Sequence, residues 1–396
     1  MASEWRKHRI KDVVSFVVDN RGKTPPTQDE GHILLEVNAV SATEKFPLYQ
    51  EVRKHVSQEV YGTRFRKGHP KKGDILVPTV GTLGAVSLMD RDDCCIAQNL
   101  IAIRCDETTC HSHFLYYVLC NPMTRKRLLN LNIGGVQPSI KVPHLMELEI
   151  ELPSIGEQKK IAELLSLLDD KIFCNNRIND NLYEMVNAYY TSLFKDVECE
   201  MTTIGNYAER IYSGGTPTTS NAAYWDGAFG WFSSGETRNR FVISTEKTIT
   251  QAGIDNSSTK LAAKHDIVMA SAGQGFTRGQ TSMLLIDTYV NQSVIVIHTE
   301  RKVLPYLFWN LANRYEELRA ISDSSSIRGS LTTKMIAAFE IPLANEESLQ
   351  AFADFSWSVI PQIENNLLEN ERLAALRDTL LPKLMSGEID VSNIQL

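Results

Sequence analysis

The sequence predicts an α+β fold: two similar α/β-mixed domains joined by two long helices that form an antiparallel coiled coil, with an internal pseudo-twofold. Three observations predict it. The 396-residue chain repeats itself at a shift of about 192 residues. Each copy opens on short β-like runs punctuated by Gly and Pro. Each copy closes on a long stretch whose seam residues step mainly 4 and 3, the spacing of a helical seam.

The repeat is read segment by segment. GKTP at 22–25 matches GGTP at 214–217, and GDILVPTVG at 73–81 matches HDIVMASAG at 265–273. QNLIAI at 98–103 matches QSVIVI at 292–297, HFLYYVLCN at 113–121 matches PYLFWNLAN at 305–313, and LEIEL at 148–152 matches FEIPL at 339–343. The order is kept. A repeated unit this long is far beyond the 20–50 residues of a solenoid. It divides the chain into a first domain at 1–153, a long helix at 154–195, a second domain at 196–344, and a second long helix with a C-terminal tail at 345–396.

The first helix opens on a capping box, Ser154 and Glu157 in S-x-x-E. Its seam runs Ile161, Leu165, Leu168, Ile172, Asn175, Asn179, Leu182, Val186, Tyr189 and Leu193. The second seam runs Val359, Ile363, Asn366, Asn370, Leu373, Arg377, Leu380 and Leu384. A pair of Asn recurs at equivalent places in both. In an antiparallel pair, a faces d, so Asn175 is expected to meet Asn370 and Asn179 to meet Asn366. Polar residues in such a seam reduce stability, and their best-attested use is to fix register. The plainer reading is that the two helices serve only as domain core or linker. Asn345 is the expected cap of the second helix, which lacks the Glu-Gln lead of the first, and Arg377 interrupts its apolar seam.

Bulk composition narrows the function. Hydrophobic content of 43% and charged content of 22% are those of a globular protein. No apolar run approaches the ~20 residues of a membrane span, and the start lacks a secretory core. Seven Cys without a C-x-x-C suggest a reduced, cytoplasmic setting. The net charge of −7 is unevenly spread: residues 1–154 carry +2, 155–199 carry −3, 200–344 carry 0, and 345–396 carry −6. The net negative charge lies in the helical segments, so the overall charge does not argue against nucleic acid. Two similar domains related by a twofold suit a two-part DNA target, in which half-sites lie about one helical turn, ~34 Å, apart.

Three segments then carry a resemblance to a known family. LPSIGEQKKIAELLSLLDDKI at 152–172 resembles its conserved entry into a long helix. WFSSGE at 231–236, with TITQAGIDNSSTKLAAKHDIVMASAGQ at 248–274, resembles its target-recognition domain. LLPKLMSGEIDV at 380–391 resembles its C-terminal end. The chain thus looks like the specificity subunit of a type I restriction-modification system. The resemblance implies two target-recognition domains, each reading one half of an asymmetric bipartite sequence in double-stranded DNA. It implies a helix pair that sets the spacing and docks two methyltransferase subunits, with restriction subunits added to these. It also implies no catalysis and no cofactor in this chain. S-adenosylmethionine, ATP and Mg are expected on the partner subunits.

Candidate DNA contacts follow from residue type. RFRKGHPKK at 64–72 carries Arg64, Arg66, Lys67, Lys71 and Lys72 and no acid, as suits phosphate. SSGETRNR at 233–240, which looks to occupy a similar part of the second copy, offers Arg238, Asn239 and Arg240. Arg favours guanine and Asn adenine in the major groove. Lys23 in the Thr-Pro turn, and Gln274, Thr277 and Arg278 in the Gly-rich loop of the second copy, complete the set. Gln98 and Gln292 recur at equivalent positions and suit base reading or framework equally.

Other motifs fall short. Gly22-Lys23-Thr24 ends like a phosphate-binding loop, but Val17 stands where its first Gly is needed. Cys105, Cys110, His111 and His113 do not have usual zinc spacing. NPM at 121–123 is a fragment of an adenine-methyltransferase motif. Two other readings stay open: a coiled-coil scaffold with two non-DNA-binding domains, and a nucleotide-using enzyme.

Overall fold

The computed structural model describes residues 5–22, 24–134, 137–195, 200–273, 277–324 and 329–391. Its contacts divide the chain into two units. The first comprises residues 1–173 and 371–396, the second 174–370. Each unit therefore combines one globular body with part of each long helix.

The first unit runs β1 (Arg6–Arg9), β2 (Val14–Val18), β3 (His32–Leu35), β4 (His55–Val56), α1 (Gln58–Arg64), β5 (Ile75–Pro78), β6 (Ser87–Leu88), β7 (Cys95–Ile96), β8 (Leu100–Cys105), α2 (Ser112–Cys120), α3 (Pro122–Leu129), α4 (Val142–Met146) and β9 (Glu149–Leu152), then enters α5 (Ile155–Phe194). Its main sheet has the order β2-β8-β5-β6 and a smaller one β4-β3-β7, while β1 pairs with β9. Strand β5 is buried along its whole length, as its unbroken apolar run ILVP requires.

The second unit runs β10 (Met201–Thr203), α6 (Ile204–Tyr207), β11 (Ala208–Ser213), β12 (Trp225–Phe232), β13 (Phe241–Val242), β14 (Lys247–Ile249), α7 (Gln251–Asp255), β15 (Lys260–Ala262), β16 (Ile267–Ala270), β17 (Thr281–Leu284), β18 (Thr288–Val290), β19 (Val294–Thr299), α8 (Leu304–Asn313), α9 (Tyr315–Ser324), α10 (Thr333–Ala337), β20 (Glu340–Pro342) and α11 (Glu346–Met385). Its sheets order as β11-β19-β16-β17-β13 and β14-β12-β18-β15, with β10 on β20. These reproduce the strand order of the first unit and add one strand to each sheet, β13 to the larger and β15 to the smaller. In both smaller sheets the corresponding strand, β3 or β12, has one antiparallel and one parallel neighbour. The duplication read in the sequence is thus a duplication of topology.

The long helices begin where the sequence placed them. Ser154 and Glu157 close the capping box at the head of α5: Ser154 N donates to Glu157 Oε2 at 3.2 Å and Glu157 N to Ser154 Oγ at 3.4 Å. Asn345 accepts from Ser348 N at 2.8 Å at the head of α11. Both helices pack more than a seam. Ile161 and Leu165 of α5, with Leu381 and Leu384 of α11, lie in the first core beside Phe114 and Tyr117. Tyr183, Val186, Tyr190 and Phe194 lie in the second core, with Phe352, Val359 and Ile363. The helices are therefore both a paired seam and domain core.

In the second unit the seam is wet. Asn175 Nδ2 donates to Asn370 Oδ1 at 2.9 Å and to Glu369 Oε2 at 2.7 Å. Asn366 Nδ2 donates to Asn179 Oδ1 at 2.8 Å, and Gln362 Nε2 donates to Asn366 Oδ1 at 2.8 Å. Asn370 Nδ2 reaches Asn176 Oδ1 at 2.7 Å. Asn175 is only 1% exposed.

In the first unit the seam carries charge instead. Arg377 Nη1 meets Asp169 Oδ1 at 2.7 Å, and Tyr117 Oη donates to the other Asp169 oxygen at 2.6 Å. Burial works against the Arg377 charge, and Asp169 more than offsets it, so the guanidinium is held above its ordinary value. The second unit puts the buried Trp309 at the position of Tyr117, against Tyr183, Phe308 and Phe352.

One backbone position separates the copies. Gly73 has φ +89°, and the corresponding His265 has φ +78°. A non-glycine residue there costs roughly 1–3 kcal/mol. The His265 ring packs edge-on against Trp357 of α11, centroids 4.8 Å apart, and Arg301 covers the same indole at 4.0 Å.

Two expected outcomes follow from these cores. Replacing Asn175, Asn179, Asn366 and Asn370 together by Leu should raise the melting temperature by removing buried amides, yet let more than one pairing of α5 and α11 form within the second unit. Thermal melts, with disulfide trapping between cysteines introduced at 182 and 363, would show it, and a lower melting point with a single pairing would refute it. The second concerns His113, which burial pushes down to about 4, with Lys45 and His111 adding and Asp170 and Glu107 opposing. The fold favours the neutral ring, so this stability is whole above the unfolded value of about 6.5 and is lost as pH falls toward 4. His113→Asn should flatten that slope in melts between pH 4 and 7.

Candidate nucleic-acid interface

The two main sheets present the same kind of edge. In the first unit, the ends of β2 and β5 and the starts of β6 and β8 lie together, because Val18 pairs with Ala102, Pro78 with Leu100 and Leu76 with Ser87. The loops 19–25, 79–86 and 97–99 therefore leave from one edge. In the second unit, β16 pairs Met269 with Thr281 and Ala270 with Val294, and β11 pairs Ser213 with Ile295. The loops 214–218, 271–280 and 291–293 leave from the corresponding edge. Loop clusters on a rigid sheet are where recognition residues concentrate.

A clasp closes each edge. Gln98 Nε2 donates to Thr24 Oγ1 at 2.8 Å. In the second unit, Thr216 Oγ1 donates to Gln292 Oε1. The recurring glutamines thus hold the Thr-Pro turns and have a framework role. In the first unit the clasp extends further. Asn20 Nδ2 donates to Gly68 O at 2.8 Å, and Lys67 N donates to Asn20 Oδ1 at 3.0 Å. One side chain therefore staples the basic turn to the Thr-Pro turn. On the other side, Thr79 N donates to Asn99 O at 2.8 Å and Gly81 N to Pro138 O at 3.1 Å. A Cβ on Gly84, whose φ is +78°, would stand 3.0 Å from Arg125 Cγ, so that loop lies directly on α3.

In the second unit two indoles brace the turn. Trp231 Nε1 donates to Gly215 O at 3.2 Å and Trp225 Nε1 to Thr218 O at 3.3 Å. Glycine is required here, since a Cβ on Gly214 would fall 1.9 Å from Val290 O.

The expected contact residues are placed unevenly. Arg64 ends α1, and Arg66, Lys67, Lys71 and Lys72 follow on an exposed turn. The backbone of this turn is fixed by carboxylates: Lys71 N donates to Asp74 at 2.9 Å and Lys72 N to Asp92 at 2.5 Å. The side chains of Arg66, Lys71 and Lys72 have no carboxylate partner among the described residues, whereas Lys67 lies close enough to act on the Asp19 carboxylate. Asn239 is exposed, whereas Arg238 pairs with Glu246. Arg278 pairs with Asp323 and donates to Gly329 O at 2.7 Å. Thr277 sits beside Gly273 in the loop of the second edge. Lys23 and Gln274 lie outside the described residues.

The topology also revises one correspondence. Residues 233–240 follow β12, the counterpart of β3, so they correspond to the stretch after Leu35 and not to the basic run. The counterpart of the basic run lies between α7 and β16 instead. Leu88 N donates to Lys45 O at 2.8 Å and Met283 N to Arg240 O at 2.9 Å, which makes Lys45 the counterpart of Arg240. Each reaches a carboxylate of α5: Lys45 pairs with Asp170 at 2.7 Å and Arg240 with Asp180 at 3.2 Å. Arg240 also lies 4.3 Å from the centre of the Tyr183 ring. Its charge is engaged with the helix. Sequence spacing could not separate these stretches, because only the strand pairing distinguishes them.

Comparison with known proteins agrees with this arrangement. A family model described as the type I restriction modification DNA specificity domain matches residues 2–184 and again 197–371. The specificity subunit of the type I restriction enzyme HindI from Haemophilus influenzae is 20% identical over 402 aligned residues, covering 81% of this chain and 87% of that one. The EcoR124I/EcoR124II specificity subunit from Escherichia coli is 27% identical over 222, covering 55% and 54%. Among solved structures, the S subunit of a type I restriction-modification system from M. genitalium has the same fold, with a TM-score of 0.56 at 19% identity and 96% of each chain covered.

Asn20→Ala should release the basic turn from the Thr-Pro turn. Two partly exposed hydrogen bonds at about 0.5–1.5 kcal/mol each are a modest loss to folding. Melting should shift by only a few degrees, while affinity for duplex DNA should fall about tenfold in a titration. An unchanged affinity would detach the clasp from binding.

Proposed function

Because this chain belongs to the type I restriction-modification DNA specificity family, we propose that its two units read the two halves of one asymmetric, split DNA sequence. The observation that carries this reading is the repeated loop edge. Both edges have the same order over four strands and the same Gln–Thr clasp, but outside the shared Thr-Pro turn, glycine and glutamine their loop sequences differ. Equal frameworks with unequal readers suit two different half-sites.

The same reading gives α5 and α11 a second task beyond domain core: to set the spacing of the half-sites and to receive two methyltransferase subunits, to which restriction subunits are added. Methylation and cleavage then belong to those partners, with S-adenosylmethionine, ATP and Mg²⁺, and this chain supplies recognition. Adenine methylation needs the base out of the stack. Among the described residues, none of the clusters of His, Cys, Asp and Glu is of a kind that holds a metal, and no helix is long and apolar enough to cross a membrane. The alternative of a scaffold with two non-DNA-binding domains finds no support in the family match.

Methylome sequencing of a strain carrying this chain with its partners should reveal one adenine-methylated motif with two unlike halves and an unspecified gap. An unsplit palindrome would contradict the proposal. Co-purification with a methyltransferase subunit is the expected companion result.

A further inference from the structure

The two loop edges differ electrostatically more than their sequences suggest. In the first unit, cations outside any ion pair flank the edge on both sides, Lys67 lying near Asp19 without a salt bridge to it. Arg66 and Lys67 are tied through Asn20 to the β2 side, whereas Lys71 and Lys72 precede the start of β5 at the other end of the sheet. On the β5–β6 side lies α3, with Arg125, Lys126 and Arg127, where Arg125 packs on Gly84. No carboxylate occurs between Glu107 and Glu147, and these three side chains have no carboxylate partner among the described residues. In the second unit the corresponding helix, α9, carries Glu316, Glu317 and Asp323. There Arg238, Arg240, Arg278 and Arg314 are paired with Glu246, Asp180, Asp323 and Glu317.

We infer that the first unit is the electrostatic anchor of the DNA contact: its two cationic flanks grip phosphates on either side of one groove, while the second unit binds with Arg238, Arg240, Arg278 and Arg314 already neutralised by its own carboxylates. The inference rests on the DNA-reading function proposed above and adds which half supplies the sequence-independent affinity and which residues do so. The sheet sets the scale. Order β2-β8-β5-β6 separates the flanks by three strand spacings of about 4.8 Å, roughly 14 Å. The major groove is ~12 Å wide, so loops 19–25, 79–86 and 97–99 would enter the groove while both flanks meet its phosphate walls.

Counterion release makes the division measurable, since each neutralised phosphate adds about 0.9 to the slope of log affinity against log salt. The assay uses the full chain with its methyltransferase partner and a mixed-sequence duplex, titrated from low to moderate salt. Replacing Arg66 and Lys67 by Gln should flatten the slope by roughly 1–2, and replacing Arg125, Lys126 and Arg127 by Gln by roughly 1–3. Discrimination between specific and mixed-sequence duplexes should stay nearly constant. Conversely, Glu246→Gln with Asp323→Asn frees two arginines of the second unit and should steepen the slope by about 1–2. The anchor is overturned if both first-unit sets leave the slope unchanged, or if Arg238→Gln with Arg278→Gln flattens it more than they do. Absence of duplex binding by the unaltered assembly would overturn the DNA-reading function itself.

Discussion

A buried side-chain amide without a partner costs about 1–3 kcal/mol, and this constraint governs how α5 lies on α11 in the second unit. Asn175 is enclosed, and its two donor hydrogens are met by Asn370 and Glu369. Asn366 is met by Asn179 and Gln362. A shift of either helix by one turn, about 5.4 Å, would strand these groups among Val186, Val359 and Ile363. Apolar contacts alone tolerate such a slide, because a Leu or Ile finds another apolar neighbour. The helices also form part of each core, so the pairing that satisfies the amides fixes where Tyr190, Phe194 and Phe352 meet the second body. In the first unit the Asp169–Arg377 pair acts by the same logic with charge. Removing Arg377 there would leave the buried Asp169 without its counterion, a loss that typically costs about 3–5 kcal/mol.

On that frame the two bodies keep their topology while exchanging the chemistry of single positions. Arg104 binds Asp74 with two hydrogen bonds, 2.8 and 2.7 Å, whereas His298 meets Asp266 through one ring nitrogen at 2.5 Å. Gly73 turns freely where His265 is held in the same left-handed region beside Trp357. Lys45 and Arg240 both engage α5 carboxylates. Such exchanges leave the sheet edges intact and alter what the edges display. A recognition protein built from one unit twice can diverge in this way without refolding.

Much of this was legible in advance, for reasons of period and spacing. Ser154 and Glu157 stand at the only separation that lets each bond the other's backbone, and the 4–3 step predicts which faces of α5 and α11 are enclosed. The paired asparagines were readable because the duplication supplies both partners. Arg238, Arg240 and Arg278 were less so. Residue type marks them as DNA readers, but the carboxylates that hold them lie 8, 60 and 45 positions away. Neither did spacing show that 233–240 and the basic run occupy different places, since the intervening segments have little sequence in common. The cations of α3 went unnoticed because three charges on a short helix are ordinary, and only their position against Gly84 brings them to the edge.

The sequence by itself determined the duplication, the two long helices with their caps and matched polar seam, and the family. Each of these is written in local periodicity or in residues compared at a fixed shift. Tertiary structure decided which charges remain available to a partner. Whether an arginine is free or neutralised depends on carboxylates that only strand order and helix packing bring within about 4 Å. The attraction between two charges falls with distance through space, while the sequence records only distance along the chain.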